Sequence, residues 1–246
     1  MLLRHRLLRP ACLPIPPPGR TVEGVKDTSV CGGASTELGL AEGPGPTGFR
    51  PVQTSFVSPA CAGVVLAGGR SSRMGTNKAL LEVDGISLWR RQWAVLASAG
   101  IGPLCLSVAQ AGSWAPPEVP TVVDGMRDQG PIAGLQAALA WNRNPLLAAL
   151  AVDLPFLPPA WFRQLLQRCR DGGGAVGQRE DGTFEPLAAV YPACFASRVE
   201  AATAAGQRRM QPLLHEAVSA GEMVVEPISE EREFWFRNWN RPEDLA

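Results

Sequence analysis

The sequence has no surplus of charge of either sign, almost no histidine and no closely spaced cysteines. Lys plus Arg and Asp plus Glu number 23 each among 246 residues, so the formal net charge at neutral pH is zero. A chain that binds nucleic acid usually carries a basic surplus that neutralises phosphates, so we expect no nucleic-acid partner. Binding of small anionic ligands is compatible with a net charge of zero, because a local cluster of donors is enough to bind them.

Cysteine and histidine patterns exclude two kinds of site. The six cysteines form no CxxC pair, which disfavours a thiolate metal site, and disulfide frameworks are typical of small secreted chains. We therefore expect reduced thiols. Histidine occurs only at His5 and His215, so a zinc site or a histidine-based catalytic site has few candidate residues.

Long apolar runs are also missing. Spanning a bilayer takes about 20 apolar residues, and no uninterrupted stretch reaches that length. Arg4, Arg6 and Arg9 break up the apolar region that a secretory signal needs near the start. We expect no membrane partner and a cytoplasmic protein; the alternative is an organelle transit peptide, which an Arg-bearing and acid-free opening resembles.

Residues 1–60 differ in composition from the rest of the chain. Proline clusters at Pro16 to Pro18, and Gly and Pro alternate over residues 43–46, without helix or strand periodicity. Such a segment buries too little apolar area to offset chain entropy, so we predict a disordered extension. A gene model that begins too far upstream is the alternative.

From residue 61 to residue 246, short apolar strands alternate with helical patterns. The predicted strands are Gly63–Ala67, Leu104–Val108, Pro120–Val123 and Leu146–Val152, and the predicted helices are Leu88–Ala99, Ile132–Trp141 and Trp161–Cys169. Leu187–Tyr191 and Met223–Val225 are later strands and candidates for antiparallel pairing. This alternation predicts a single α/β domain of Rossmann-like type with a mostly parallel sheet, whose ligands lie beyond the carboxyl ends of the strands.

The segment Leu66–Lys78 reads LAGGRSSRMGTNK and follows the first predicted strand. Gly68 and Gly69 let the main chain approach a ligand, and successive N–H groups there form a nest for phosphate oxygens. Arg73 and Lys78 add positive charge. The spacing fits neither the Walker loop nor the dinucleotide G-x-G-x-x-G pattern, so a distinct phosphate-binding loop is indicated. A Gly-rich surface turn with incidental basic residues is the alternative.

Asp153 comes directly after the most apolar predicted strand and precedes Leu154 and Pro155. A carboxylate at a strand tip is suited to hold Mg²⁺ against nucleotide phosphates. The competing interpretation is an Asp that opens a turn before proline. Beside the Gly-rich loop, we favour the magnesium site.

The string L-A-G-G-x-S-x-R-M-G-x-x-K resembles the signature loop of nucleotidyltransferases related to molybdenum cofactor guanylyltransferase. The resemblance runs from about Gly63 to Leu245. It implies that Leu66, Ala67, Gly68 and Gly69 bind the nucleotide with Lys78. It also implies that Arg73, Lys78 and Asp153 are catalytic and that Asp153 is the magnesium ligand.

Other positions are assigned through the same resemblance. Asp124 precedes a G-P-x-x-G segment and is expected to contact the nucleotide, although a solvated strand-end Asp is the alternative. Ser107 stands where some relatives have a nucleotide-binding Asn. Asn240 lies in an N-x-N-x-P-E-D-L ending, with Arg241 in place of Thr, and is expected to face the metal; a helix-capping role is compatible.

Arg208 and Arg209 are expected to bind the phosphate of the acceptor. Their alternative is a solvated pair on a helix that has no function.

The resemblance implies a complete reaction. GMP is transferred from GTP to molybdenum-bound molybdopterin, with Mg²⁺ as cofactor and pyrophosphate as leaving group. A phosphate nucleophile is already ionised, so no general base is required. Gly68 favours GTP, since cytidylate-transferring relatives carry Ala there. The alternatives are a cytidylyltransferase or sugar-phosphate nucleotidyltransferase with the same loop, or a non-catalytic nucleotide-binding module. Transient contact with molybdenum-inserting enzymes is a further expectation.

Overall fold

The computed structural model describes residues 60–68, 77–110, 114–124 and 130–239. Within these ranges, seven strands form one sheet in the order β5-β4-β1-β6-β8-β7-β9. Its strands are β1 Cys61–Leu66, β4 Leu104–Val108, β5 Thr121–Val123, β6 Leu146–Ala151, β7 Gly174–Gln178, β8 Ala188–Pro192 and β9 Met223–Pro227. A separate antiparallel hairpin joins β2 (Glu82–Val83) to β3 (Ile86–Ser87). The predicted boundary at residue 60 borders residues outside these ranges and stays a prediction.

Helices cover both faces of the sheet. They are α1 Leu88–Ser98, α2 Pro131–Trp141, α3 Pro159–Arg168, α4 Phe195–Ala204 and α5 Met210–Ser219, with short 3₁₀ helices at Lys78–Leu80 and Glu230–Phe236. Buried side chains of α1 and α3 pack on one face, and those of α2, α4 and α5 pack on the other. Because both faces of the strands are covered, nearly every residue of β1, β4 and β6 is apolar and buried.

The strand directions confirm a mostly parallel sheet. β5, β4, β1 and β6 run parallel to one another. β8 pairs antiparallel with both β6 and β7. The antiparallel prediction is therefore correct for Ala188–Pro192. It is wrong for Met223–Pro227, which pairs parallel with β7, because α5 carries the chain back to the edge where β7 begins.

Sequence patterns missed β7, α4 and α5. Two glycines weaken the strand pattern of β7, and Gly177 is required by packing: a Cβ there would lie 2.7 Å from the Trp161 ring. Helix α4 did carry a signal, because Phe195, Val199 and Ala202 recur at helical spacing and are all buried.

Among the residues that the structure describes, no helix combines the length and apolarity that crossing a membrane requires.

Candidate nucleotide-binding site

The carboxyl ends of β5, β4, β1 and β6 lie side by side, because these four neighbouring strands are parallel. Asp124 follows β5, Gly68 lies two residues beyond β1, and Asp153 lies two residues beyond β6. Main-chain hydrogen bonds continue past the strand ends, from Asp124 N to Val108 O (3.1 Å), Ala67 N to Ser107 O (3.0 Å) and Val152 N to Leu66 O (3.2 Å). The main-chain hydrogen bonding of the sheet therefore extends beyond the strand ends into the tips.

Lys78 and Asp153 meet at this edge. The Lys78 Nζ lies 3.5 Å from Asp153 Oδ2 although the two residues are 75 positions apart, and their side chains are 20% and 29% exposed. Lys78 begins a 3₁₀ helix that Asn77 caps, since Asn77 Oδ1 accepts from Ala79 N at 3.1 Å. Ala79 is fully buried, which anchors this turn. A cation and a carboxylate are thus presented together, each partly open to a ligand.

The last described residues reach the same place. Trp239 is buried, and its backbone N–H donates to Asp153 O at 2.9 Å. Asn240 follows Trp239 in the chain and lies outside the described residues. The C-terminal segment therefore crosses the tip of β6 at the predicted magnesium ligand.

Gly68 and Asp124 face one another across the tips of β1, β4 and β5. A Cβ at Gly68 would meet the carboxylate of Asp124, so the absence of a side chain at Gly68 makes room for that group. Burial raises the pKa of the Asp124 carboxyl, and a hydrogen bond from its own backbone N–H opposes the rise. The carboxylate therefore lies in a partly desolvated place beside the main chain of the Gly-rich loop.

Within that loop, Gly69 and Arg73 lie outside the described residues, so their predicted roles stay predictions. The described part begins with Leu66, whose carbonyl accepts from Val152 N, and Ala67, whose N–H donates to Ser107 O. Both of these main-chain groups are already engaged within the sheet.

The structure does not bring the hydroxyl of Ser107 to the sheet edge. Ser107 is 1% exposed, and its Oγ would lie 2.6 Å from a Cβ built on Gly134 of α2. The second glycine of the G-P-x-x-G segment therefore allows α2 to pack directly on β4. Ser107 reaches the edge through its carbonyl, which accepts from Ala67 N.

Arg208 and Arg209 are exposed and lie in the loop between α4 and α5, so the alternative is wrong only in placing the solvated pair on a helix. Gln207 Oε1 accepts from the backbone N–H groups of both arginines, at 3.1 and 3.2 Å. Since β8 runs antiparallel to β6, the α4 helix that follows it returns the chain to the carboxyl edge of the parallel strands. The two arginines are consequently on the edge where Asp153 lies.

Arg179 belongs to an ionic cluster that sequence patterns missed. It follows β7 at the same edge; its Nε lies 2.5 Å from Glu185 Oε1, and its Nη1 contacts Glu233. Its guanidinium also lies 5.8 Å from the centre of the Phe236 ring. Burial raises the pKa of Glu185, and Arg179 opposes this rise.

The carboxylate of Asp153 fits a magnesium ion whose other ligands come from a substrate. The described residues contain no group of three or more His, Cys, Asp or Glu side chains able to hold a metal. Magnesium needs no such group, because it is typically bound by one or two carboxylates together with substrate phosphates and water. A partly exposed carboxylate beside Lys78 meets that requirement.

Comparison with known proteins assigns this chain to one family. The family model of the MobA-like NTP transferase domain matches residues 63–220, which is more than half of the chain and spans the whole edge from Gly68 to Arg209. The chain belongs to this family. It is a nucleotidyltransferase, and the resemblance inferred from its Gly-rich loop is confirmed.

Relatives in the MobA-like NTP transferase family are similar over most of their length. A probable molybdenum cofactor guanylyltransferase of Opitutus terrae is 42% identical over 188 residues, covering 75% of this chain and 93% of the relative. The molybdenum cofactor guanylyltransferase of Rhodobacter capsulatus is 34% identical over 195 residues, covering 75% of this chain and 93% of that one.

The fold is also shared with solved structures. The molybdopterin-guanine dinucleotide biosynthesis protein A of Archaeoglobus fulgidus superposes with a TM-score of 0.59 at 24% identity, covering 75% of this chain and 94% of that chain. At this identity the similarity shows the α/β fold alone.

Proposed function

We propose that the chain transfers GMP from GTP to molybdenum-bound molybdopterin, releasing pyrophosphate and forming a guanine dinucleotide cofactor. The observation that carries this proposal is the pairing of Lys78 with Asp153 at 3.5 Å, at the tip of β6 and beside the Gly-rich loop. The printed names of the relatives support the choice of guanylate and of molybdopterin.

The reaction is an in-line displacement. A phosphate oxygen of the acceptor attacks the α-phosphorus of GTP, and the bond from that phosphorus to the bridging oxygen of the β-phosphate breaks. The attacking oxygen is ionised at neutral pH, so the site needs positive charge rather than a base. Lys78 lies where that charge is required, and we assign Arg73 the same task on the grounds of its sequence position.

Asp153 and Asn240 would hold Mg²⁺, which supplies charge neutralisation on the phosphates when bound. The ammonium of Lys78 lies near the Asp153 carboxylate. Lys78 would contact the phosphates, and the Asp153 carboxylate would bind the metal. Because the sheet edge places both groups together, binding requires little reorganisation.

Asp124 and the main chain at Gly68 and Gly69 would receive the nucleoside. The carboxylate of Asp124 is suited to accept hydrogen bonds from ribose hydroxyls or base N–H groups, because it is partly desolvated. The choice of GTP over CTP rests on the resemblance, because cytidylate-transferring relatives carry Ala at the position of Gly68. Cytidylate transfer is the competing specificity.

We assign the reaction to the cytoplasm. The buried thiols of Cys61, Cys105 and Cys169 are not in disulfides, which fits a reducing compartment. Burial raises the pKa of each to about 12, so these thiols are unreactive at neutral pH. We expect transient contact with enzymes that insert molybdenum or receive the product.

The deciding experiment is a nucleotide panel. Purified protein is mixed with GTP, CTP or ATP, with and without molybdenum-loaded molybdopterin and Mg²⁺, and pyrophosphate release is measured. We expect release with GTP only when both acceptor and metal are present. Equal rates with CTP would overturn the guanine assignment, and binding of GTP without any release would favour a non-catalytic module.

A further inference from the structure

A polar side chain occupies the core-facing side of α1. The helix buries Leu88, Trp89, Gln92 and Leu96, and Gln92 is fully buried among them. Leu88, Gln92 and Leu96 recur every four residues, so the position of Gln92 is one where packing alone favours an apolar side chain. A buried amide costs free energy unless its polar atoms are bonded, so the contact made by Gln92 requires an explanation.

The amide of Gln92 is bonded to the turn that follows β6. Its Nε2 donates to Leu154 O at 2.6 Å, across 62 positions of the chain. The partner is a carbonyl, which fixes the amide nitrogen as the atom that faces it. Leu154 O also accepts from Leu157 N at 3.2 Å, so Gln92 reinforces a turn whose first residue directly follows Asp153.

Hydrogen bonds hold three peptide groups at and around Asp153. Val152 N donates to Leu66 O at 3.2 Å, and Trp239 N donates to Asp153 O at 2.9 Å. Gln92 supplies the third contact, at the peptide between Leu154 and Pro155. The first two are main-chain contacts, whereas the third depends on the identity of one side chain.

The second polar atom of the amide shows that Gln92 is not explained by packing. Its Oε1 is buried and has no hydrogen-bond partner among the described residues. A leucine or methionine would fill a similar volume without a buried, unpartnered oxygen. The hydrogen bond to Leu154 O is the contact that a glutamine makes here and that leucine or methionine cannot make.

We propose that Gln92 is a positioning residue, which orients the Asp153 carboxylate toward the metal-bound nucleotide by fixing the Leu154 carbonyl. This rests on the proposed function, because it takes Asp153 as the metal ligand. Gln92 touches neither substrate nor metal. It acts through the turn, in the way that residues behind a ligand tune metal sites in general.

The test compares Gln92→Leu and Gln92→Met, which remove the donor, with the wild type. Gln136→Leu is the control, since Gln136 is a half-buried helical glutamine whose Oε1, like that of the fully buried Gln92, has no partner among the described residues. Mn²⁺ binding to each protein in the presence of GTP is measured by electron paramagnetic resonance, and GTP binding without metal is measured by calorimetry. Hydrogen exchange of the Leu157 amide reports on the turn.

We expect both Gln92 variants to bind Mn²⁺ about 10-fold more weakly in the presence of GTP, with metal-free GTP affinity and the Gln136→Leu control unchanged. Exchange at Leu157 should accelerate in the Gln92 variants. Wild-type Mn²⁺ affinity in both Gln92 variants would overturn the proposal. If neither variant folds, the wild-type side-chain amide of Gln92 decides by NMR: protection from exchange supports the contact, and rapid exchange overturns it.

Failure of the proposed function is visible separately. Asp153→Asn is measured in the same series, because it removes a negatively charged ligand of the metal. If wild type and Asp153→Asn bind Mn²⁺ equally in the presence of GTP, the metal site itself is misassigned. If Asp153→Asn loses Mn²⁺ while both Gln92 variants retain it, the metal site stands and only the role of Gln92 is overturned.

Discussion

A Cβ placed on Gly68 would lie 2.5 Å from Oδ2 of Asp124. Real Cβ atoms do not approach other atoms this closely, so one of the two groups would have to move. The carboxylate is the end of a side chain, whereas Gly68 lies two residues beyond β1, which pairs with a strand on each side. Gly68 therefore determines where the Asp124 carboxylate lies, and an alanine there would displace that group without disrupting the sheet.

The first prediction concerns Gly68→Ala. We expect kcat/KM for GTP to fall about 10-fold or more, because displacement of Asp124 removes a charged hydrogen bond to the nucleoside. The ratio of GTP to CTP turnover should fall as well. Steady-state kinetics with both nucleotides measures the change.

The control for that variant is Gly102→Ala. Apart from its two chain neighbours, no described residue has an atom within 4 Å of the Cβ it would add, so GTP turnover should match the wild type. If Gly68→Ala keeps full kcat/KM and preference for GTP, Gly68 has no part in base selection.

The second prediction concerns Asp153→Asn. Loss of the charge that holds the metal should lower kcat by about 100-fold or more. Metal-free GTP should bind as well as to the wild type or better, because a carboxylate near the phosphates has been removed. Single-turnover kinetics and calorimetry separate the two effects. Asp171→Asn, an exposed loop position with φ of 53° that Asn also adopts, should leave both unchanged. Asp153→Asn with a wild-type kcat contradicts the assignment.

The central strands and their tips could be predicted from the sequence. β1 and β6 are apolar runs covered on both faces, so residues that contact a ligand are expected only beyond their ends. This expectation placed Gly68 and Asp153 correctly at the strand tips. The family resemblance then supplied the partner of Asp153, because nothing in local periodicity relates Lys78 to a residue 75 positions away.

Other features depend on tertiary contacts that periodicity does not encode. Strand β7 is rich in glycine because Trp161 and β8 approach its main chain, and this reads locally as a loop. Local periodicity gives no signal for Arg179, since Glu185 lies six residues further along and Glu233 comes from a segment 54 positions away. Ser107 was placed at the edge by resemblance, but β-strand alternation turns its hydroxyl toward α2.

The third prediction concerns Arg208→Ala combined with Arg209→Ala. These residues lie in a loop, so their removal should not change the free energy of unfolding. If they bind the acceptor phosphate, KM for the acceptor should rise about 10-fold while KM for GTP stays the same. Arg170→Ala, an exposed arginine elsewhere, is the control. An unchanged acceptor KM in the double variant would remove both arginines from the site.

The fourth prediction concerns the pH dependence of stability at Asp124. Burial raises the pKa of its carboxyl in the folded chain above 3.8, so the folded state holds this proton more tightly than the unfolded state. The resulting stabilisation is full below pH 3.8 and is lost as pH rises through the folded pKa. Asp124→Asn should therefore unfold at higher denaturant concentration than wild type at pH 7, with the difference shrinking toward pH 4.

The same variant should lose nucleotide affinity, by about 10-fold, because a neutral amide replaces a charged acceptor. Denaturant unfolding at several pH values and GTP calorimetry test the two effects together. If Asp124→Asn is instead less stable than wild type at pH 7, favourable contacts stabilise the partly buried carboxylate. Its burial is then not a stability cost that is retained for nucleotide binding.

The fifth prediction concerns Arg179→Met, which leaves two carboxylates facing each other. Glu185 and Glu233 lose their common cation, and their side chains are only 15% and 34% exposed. We expect the free energy of unfolding to fall by about 1 to 3 kcal/mol, between the values for exposed and buried pairs. Without Arg179, the pKa of Glu185 should rise further, so the loss should be larger at pH 8 than at pH 5.

Two further variants separate charge repulsion from lost packing on Phe236. Adding Glu233→Gln to Arg179→Met should restore much of the stability if repulsion dominates. Arg163→Met is the control: it removes an exposed hydrogen bond to Ser98 O, so the free energy of unfolding should change little. Because the 3₁₀ helix that carries Glu233 leads to Trp239 and its contact with Asp153, Arg179→Met should also weaken metal-dependent turnover. Full turnover in a destabilised Arg179→Met chain would instead mean that the C-terminal segment holds Asp153 without help from the ionic cluster.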